Sequence, residues 1–168
     1  MSRKMSKTLV IDASVAKSAG ETDHPVSSAC RLTLSTVLKV CHRVVMCKEI
    51  VSEWKKHQSR YSSKWLAAMQ SKGKIVRIEI PEESTLSEKL GRLDVGKKLI
   101  KAMLKDVHLV EAARQTDFRI LSRDEAARGL FSSASEQIDE LKPIHWVNPV
   151  IEEDNCIEWL KAGAKMQG

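Results

Sequence analysis

The chain has 168 residues, 42% apolar and 30% charged, with a net charge of +6. That length supports one domain with a sizeable core, spanning 1–168, and the composition suits a folded globular chain. No apolar run approaches the roughly 18 to 20 residues of a membrane span. The basic opening MSRKMSK leads into an apolar run too short for a secretory signal, so a cytoplasmic protein with no membrane partner is expected. A pI near 9.2 favours a polyanionic partner, most simply nucleic acid.

Five short apolar runs read as strands: Leu9–Ile11, Val44–Cys47, Ile75–Ile80, Phe118–Leu121 and His145–Val147. The first, second and fourth are continuous, as in strands covered on both faces. The third, IVRIEI, alternates, which suits a strand nearer an edge. Between them lie helical patterns. SSACRLTLSTVLKVCH carries apolar residues at helical spacing, with Ser27 or Ser28 as its cap. KEIVSEWKKH aligns Ile50, Val51 and Trp54, and SSKWLAAMQSKG aligns Trp65, Leu66 and Met69 before a stop at Gly73. STLSEKL opens at Ser84 with Ser87 and Glu88 as a weak capping box. DVHLVEAARQ and DEAARGLFSSA are helical, the first opened by Asp106. In NPVIEEDNCIEWLKAGAK, Asn148 is placed as N-cap with Pro149 at the first helical position. A core of about 8–150 is thus followed by a C-terminal helix, 151–164, packing back through Trp159 and Leu160. Strands alternating with helices imply βαβ units and a mainly parallel sheet.

Cys30, Cys41, Cys47 and Cys156 form no CxxC pair. They read as small buried hydrophobes rather than a zinc site with His42 or a disulfide framework. The five histidines show no metal-ligand spacing and receive no catalytic role.

In open parallel sheets, ligands bind beyond the carboxyl ends of the strands. The first polar residues there are Asp12 after strand one, Glu49 after strand two, and Ser122, Asp124 and Glu125 after strand four. Asp106 shares the i, i+3, i+4, i+7 stripe of Leu109, Val110 and Ala113, so it points inward, where a carboxylate is costly unless compensated. Each acid has an ordinary reading. Asp12, Asp106 and Asp124 can be helix N-caps, and Glu49 can be first-turn charge. As a set, they would repel one another and take up protons unless a hard cation compensates them. Oxygen donors suit Mg²⁺ or Mn²⁺, which can activate water and neutralise charge on a phosphodiester.

LVIDASV, KEIVSEW, KDVHLVEAA and FRILSRDEAARGLF together resemble the PIN-domain (VapC-like) nucleases over roughly residues 8 to 150. The resemblance implies a three-layer α/β/α sandwich around a mainly parallel sheet of about five strands. It also implies metal-dependent cleavage of RNA, leaving a 5′-phosphate and a 3′-hydroxyl. Carried over by position, the catalytic acids are Asp12, Glu49, Asp106 and Asp124. Asp12, Asp106 and Asp124 would be the metal ligands, and Ser14 and Ser122 the supporting hydroxyls. Toxin members of the family have a Gly/Trp-rich approach to the third acid. Here it is KKLIKAMLKD, a departure that weakens assignment as the toxin of a toxin–antitoxin pair with an antitoxin partner. A homodimer through the C-terminal segment is a further expectation, ranked below its packing on the core.

Lys17, Lys48, Lys105 and Arg123 sit beside the acids and could guide phosphates. In KKHQSRYSSKW, Tyr61 is placed in a turn as a base-stacking candidate, and Trp65 in the core. Glu53 and Glu125 read as solvated helix-face residues, and Glu111 as exposed. A haloacid-dehalogenase phosphatase needs a second Asp two residues after the first, where Ser14 stands. A response-regulator receiver wants an acidic pair after strand one. Neither GxxxxGK[ST] nor GxGxxG occurs. The remaining rival is a PIN-like module that binds RNA or protein without cutting.

Overall fold

A computed structural model describes residues 6–166. Its centre is set by the most apolar stretch of the chain. Strand β1 (Thr8–Ile11) runs through the middle of the sheet with Leu9, Val10 and Ile11 fully buried. Helices α1 (Ala13–Ser18) and α2 (Pro25–Lys39) lead to β2 (Arg43–Met46). α3 (Lys48–His57) and α4 (Arg60–Ser71) lead to β3 (Ile75–Arg77), and α5 (Thr85–Gly91) and α6 (Lys97–Arg114) to β4 (Arg119–Leu121). α7 (Glu125–Ala134) precedes β5 (His145–Val147), and α8 (Cys156–Lys161) closes the described chain. The five strands pair in the order β3-β2-β1-β4-β5, all parallel. α1 to α4 and α8 pack as one group and α5 to α7 as another, the arrangement of an α/β/α sandwich. Among the described residues no helix is long and apolar enough to cross a membrane.

The alternating strand is an edge strand, as its pattern implies, but it ends at Arg77 instead of Ile80. One further bond, Ile78 N to Met46 O at 3.0 Å, continues the pairing before the chain departs. β4 starts one residue late because Phe118 adopts a φ of 65°, outside strand geometry. α2 begins before Ser27: His24 is its N-cap and Pro25 its first residue, a position suited to a residue without N–H. α4 is started by a capping box missing from the sequence reading, with Ser59 and Ser62 each accepting from the other's backbone N–H. Gly73, at φ 66°, ends it as expected.

Two corrections concern the site and its surroundings. Asp106 does not open a helix; it lies within the long α6, whose first half is the basic KKLIKAMLKD. And Asn148 and Pro149 do not start a C-terminal helix. A short 3-10 turn, Glu152–Asp154, follows, then Asn155 in the left-handed region at φ 46°, then α8. The reason is Asp154, whose carboxylate accepts from Asn148 N at 2.8 Å and from Arg128 Nη1 at 2.6 Å, folding the segment back on itself. The C-terminal segment packs on the core as expected: Leu160 is buried, and Trp159 packs against His145 with centroids 5.4 Å apart and the rings tilted by 47°.

Candidate active site

From β1 the chain proceeds outward to β2 and β3, and from β4 it proceeds the other way to β5. The boundary between β1 and β4 is therefore the switch point, where a crevice opens beyond the carboxyl ends of the strands. Hydrogen bonding continues just past both strands. Asp12 N donates to Leu121 O at 2.9 Å, and Ser122 N to Val147 O at 3.0 Å. The indole of Trp54, buried in α3, donates to Ile11 O at 2.9 Å. The backbone that presents Asp12 is thus held from both sides.

Asp12 occupies the N-cap position of α1, yet its side chain makes no capping bond. It turns instead toward two hydroxyls. Ser14 Oγ and Ser122 Oγ each donate to Asp12 Oδ2 at 2.8 Å. Each hydroxyl in turn accepts a backbone N–H from the β4–α7 loop: Arg123 N to Ser14 Oγ at 3.1 Å, and Asp124 N to Ser122 Oγ at 3.0 Å. A serine hydroxyl has one proton. Because each accepts from the backbone, that proton is directed at Asp12, which fixes the orientation of its carboxylate. Both bonds fall on Oδ2, and Oδ1 has no hydrogen-bond partner among the described residues.

Asp124 does cap its helix, accepting from Ala127 N through Oδ1 at 2.9 Å. The ordinary reading of this acid is therefore true, and it leaves Oδ2 available. Asp106 reaches the site from the other direction, on α6, which packs against both β1 and β4. It stands half-buried beside the buried Leu109 and Val110, as its stripe implies. Among the described residues its carboxylate makes no hydrogen bond or ion pair. Burial pushes its pKa above the usual carboxylate range. The charges of Asp12 and Asp124 push it further, opposed by His108 and Lys105. Asp12, Asp106 and Asp124 thus share one electrostatic neighbourhood.

Glu49 lies to one side, in the first turn of α3. With Lys48, Ser52, Lys105 and His108 it lines a groove of about 370 Å³. Lys48 and Lys105 therefore flank Glu49, while Arg123 is tied by Nη1 to Ser18 Oγ at 2.5 Å. Lys17 is exposed at the end of α1. Tyr61 is in the first turn of α4, not in a loop, and packs partly on the core. Trp65 is buried as expected, stacked on Trp54 with centroids 5.8 Å apart.

Glu111 departs from its sequence reading, while Glu125 lies on an exposed helix face as expected. Glu111 is buried, not exposed, and pairs with Arg114 at 2.9 Å. Glu125 is held by Asn148 Nδ2 at 3.0 Å as well as facing Arg128 at 3.5 Å. Asn148, 4% exposed, was read as a helix N-cap and instead holds Glu125 at the edge of the site. It is the first polar residue after β5, the same kind of position that Asp12 and Ser122 hold after β1 and β4.

No protein-family model matches the chain, and no curated protein matches it significantly. The donors at the switch point are all hard oxygens, which suits Mg²⁺ or Mn²⁺ rather than zinc. Among the described residues, no three Asp, Glu, His or Cys side chains converge into a ready-made metal cage. Magnesium does not require one, since it keeps several waters and is often held by one or two carboxylates together with substrate phosphates.

Proposed function

We propose that the protein is a metal-dependent endoribonuclease of the PIN-domain kind, acting in the cytoplasm. The observation that carries the reading is Asp106: a half-buried carboxylate without a hydrogen bond, raised by burial and by the charges of Asp12 and Asp124. A structural role would have paired it or replaced it with an apolar residue. Asp12, Asp106 and Asp124 would hold Mg²⁺ or Mn²⁺, which supplies Lewis-acid charge neutralisation and an activated water for phosphodiester hydrolysis.

The chain's own residues account for the rest. Ser14 and Ser122 fix the orientation of Asp12. Trp54 anchors the strand end beneath it. Asp124 is held by the start of α7, so its free oxygen points from a rigid frame. Lys48 and Lys105 flank Glu49, Lys105 also acts on Asp106, and together with Lys17 and Arg123 they would guide phosphate toward the acids. Glu49, between Lys48 and Lys105, is a charge at the margin of this cluster.

The test is cleavage of a labelled, unstructured RNA with Mn²⁺, Mg²⁺ or EDTA, with Asp12→Asn in parallel. The asparagine oxygen can still accept both hydroxyls, so charge is lost while shape is kept. Metal-dependent cutting absent from the variant supports the reading; equal cutting by the variant sinks it.

A further inference from the structure

At the opposite end of the sheet lies a second feature, separate from the acids. A groove of about 720 Å³ lies at the amino ends of β1, β2 and β3. Lys39, Arg43, Lys72, Lys74 and Lys161 line it, and no acidic residue does. Its floor comes from Leu38, Leu160 and the backbone around Gly73 and Gly163.

Lysines at such a place have an ordinary explanation, because α2, α4 and α8 all end here and helix carboxyl ends are negative. The numbers decide against that as the whole account. Three helix ends supply roughly −1.5 and Glu158, 3.9 Å from Lys161, a further −1, against five cations, leaving roughly +2.5. Only Lys74 is consumed structurally: its ammonium donates to Val37 O, Leu38 O and Val40 O at 3.0, 2.8 and 2.6 Å. Lys39, Arg43 and Lys72 are exposed, and among the described residues they form no ion pair. The local field is felt by His42. Burial lowers its pKa, and Lys74, Arg119 and Lys7 lower it further against the hydrogen bond to Leu160.

We infer that this groove is a second binding site, for the phosphate backbone of a single-stranded nucleic acid. Separate cations spread along an open trough match a polyanion better than a compact anion. The lining contains no Phe, Tyr or Trp, and its His42 ring is buried, so recognition is of backbone charge and is independent of sequence. Strands of 3 or 4 residues put this site only about 10 to 13 Å of sheet away from the acids. One strand of nucleic acid could therefore engage both ends of the molecule.

The experiment uses Asp12→Asn protein in EDTA, so that binding is read without turnover and independently of the nuclease proposal. Fluorescence anisotropy with labelled single-stranded RNA and with DNA of the same sequence is followed across a salt series. Lys39→Glu/Arg43→Glu/Lys72→Glu is compared with Lys97→Glu/Lys98→Glu/Lys101→Glu on the exposed start of α6, both checked for an unchanged melting temperature. Loss of three phosphate contacts should weaken binding on the order of 100-fold at 0.1 M salt and flatten the log–log salt slope by about 2. The α6 variant should lose much less. Equal loss in both variants would mean only general charge attraction and overturns the site, as does unchanged binding by the groove variant or absence of binding by the parent. A matched response for RNA and DNA identifies the shared backbone, and a response confined to RNA identifies contact with the 2′-hydroxyl.

Discussion

Asp106→Asn is the most informative substitution, because it should stabilise the protein while destroying the site. The folded-state pKa of Asp106 is raised, first by burial and then by Asp12 and Asp124. A raised carboxyl binds its proton more tightly in the folded state. Its contribution is therefore fully present below the ordinary carboxylate range and is lost as pH rises through the elevated value. At neutral pH the ionised group is a net cost, and the amide removes it. For 168 residues the unfolding entropy is about 0.35 kcal/mol/K, so each pKa unit, about 1.4 kcal/mol, corresponds to about 4 °C. Partial exposure screens the charges, so a gain of a few degrees is expected in EDTA at neutral pH, vanishing near pH 3. With Mn²⁺ at 100 times its dissociation constant, the wild type should gain about 2.7 kcal/mol, or about 8 °C, and the variant little or none. Differential scanning calorimetry reads both effects. A variant that melts lower in EDTA at neutral pH would refute the uncompensated carboxylate, and one that keeps the full Mn²⁺ shift would remove Asp106 from the ligands.

Asp12→Asn should lower RNA cleavage by about 100-fold or more while leaving the melting temperature close to wild type, as quench assays and calorimetry would show. Ser122→Ala removes a donor to Asp12 and an acceptor for Asp124 N, and should cost about 1–3 kcal/mol in urea unfolding. Trp54→Phe leaves Ile11 O without its buried donor; a loss of about 1–3 kcal/mol, with weakened Mn²⁺ binding by calorimetry, is expected. For Asp154, burial alone would raise the pKa, but hydrogen bonds from Arg128 and Asn148 N–H and the Arg128 charge hold it below the usual range. That depressed value means stability present above the ordinary carboxylate pKa and lost as pH falls through the folded one. Asp154→Asn should therefore destabilise at neutral pH, with the difference from wild type shrinking on acidification in melting curves.

The sheet was legible because Leu9–Ile11, Val44–Met46 and Ile120–Leu121 are unbroken apolar runs, and because an alternating run marked β3 as an edge. Strand ends were less so. Phe118 leaves strand geometry through a positive φ that no side-chain pattern announces. The inward face of Asp106 followed from its stripe, but its place in the middle of α6 did not: an aspartate before an apolar stripe imitates a helix N-cap, while the basic, helix-forming KKLIKAMLKD before it continues the same helix. Glu111 misled for a related reason. Its position off the stripe said exposed, yet a wide buried face and the neighbouring Arg114 accommodate it. The Asn148–Asp154–Arg128 lattice was not readable at all. It joins residues from β5, the C-terminal segment and α7, and proline after Asn148 imitated a helix start.

The position of Asp106 on a helix, not at a strand end, has a consequence for how such a site works. Asp12 and Asp124 sit on backbone fixed by sheet hydrogen bonds, hydroxyls and a helix cap, so their separation is rigid. Of the three, Asp106 alone has no hydrogen bond among the described residues, and it stands on α6, which packs on β1 and β4 with Leu109, Val110 and Ala113 buried. Two fixed oxygen donors and one adjustable donor can accept an ion that keeps several waters and changes partners as a phosphate arrives. A fully satisfied Asp106 would gain stability and lose that adjustability. The half-buried, unbonded carboxylate is the expected signature of a position held for binding at a cost in folding energy.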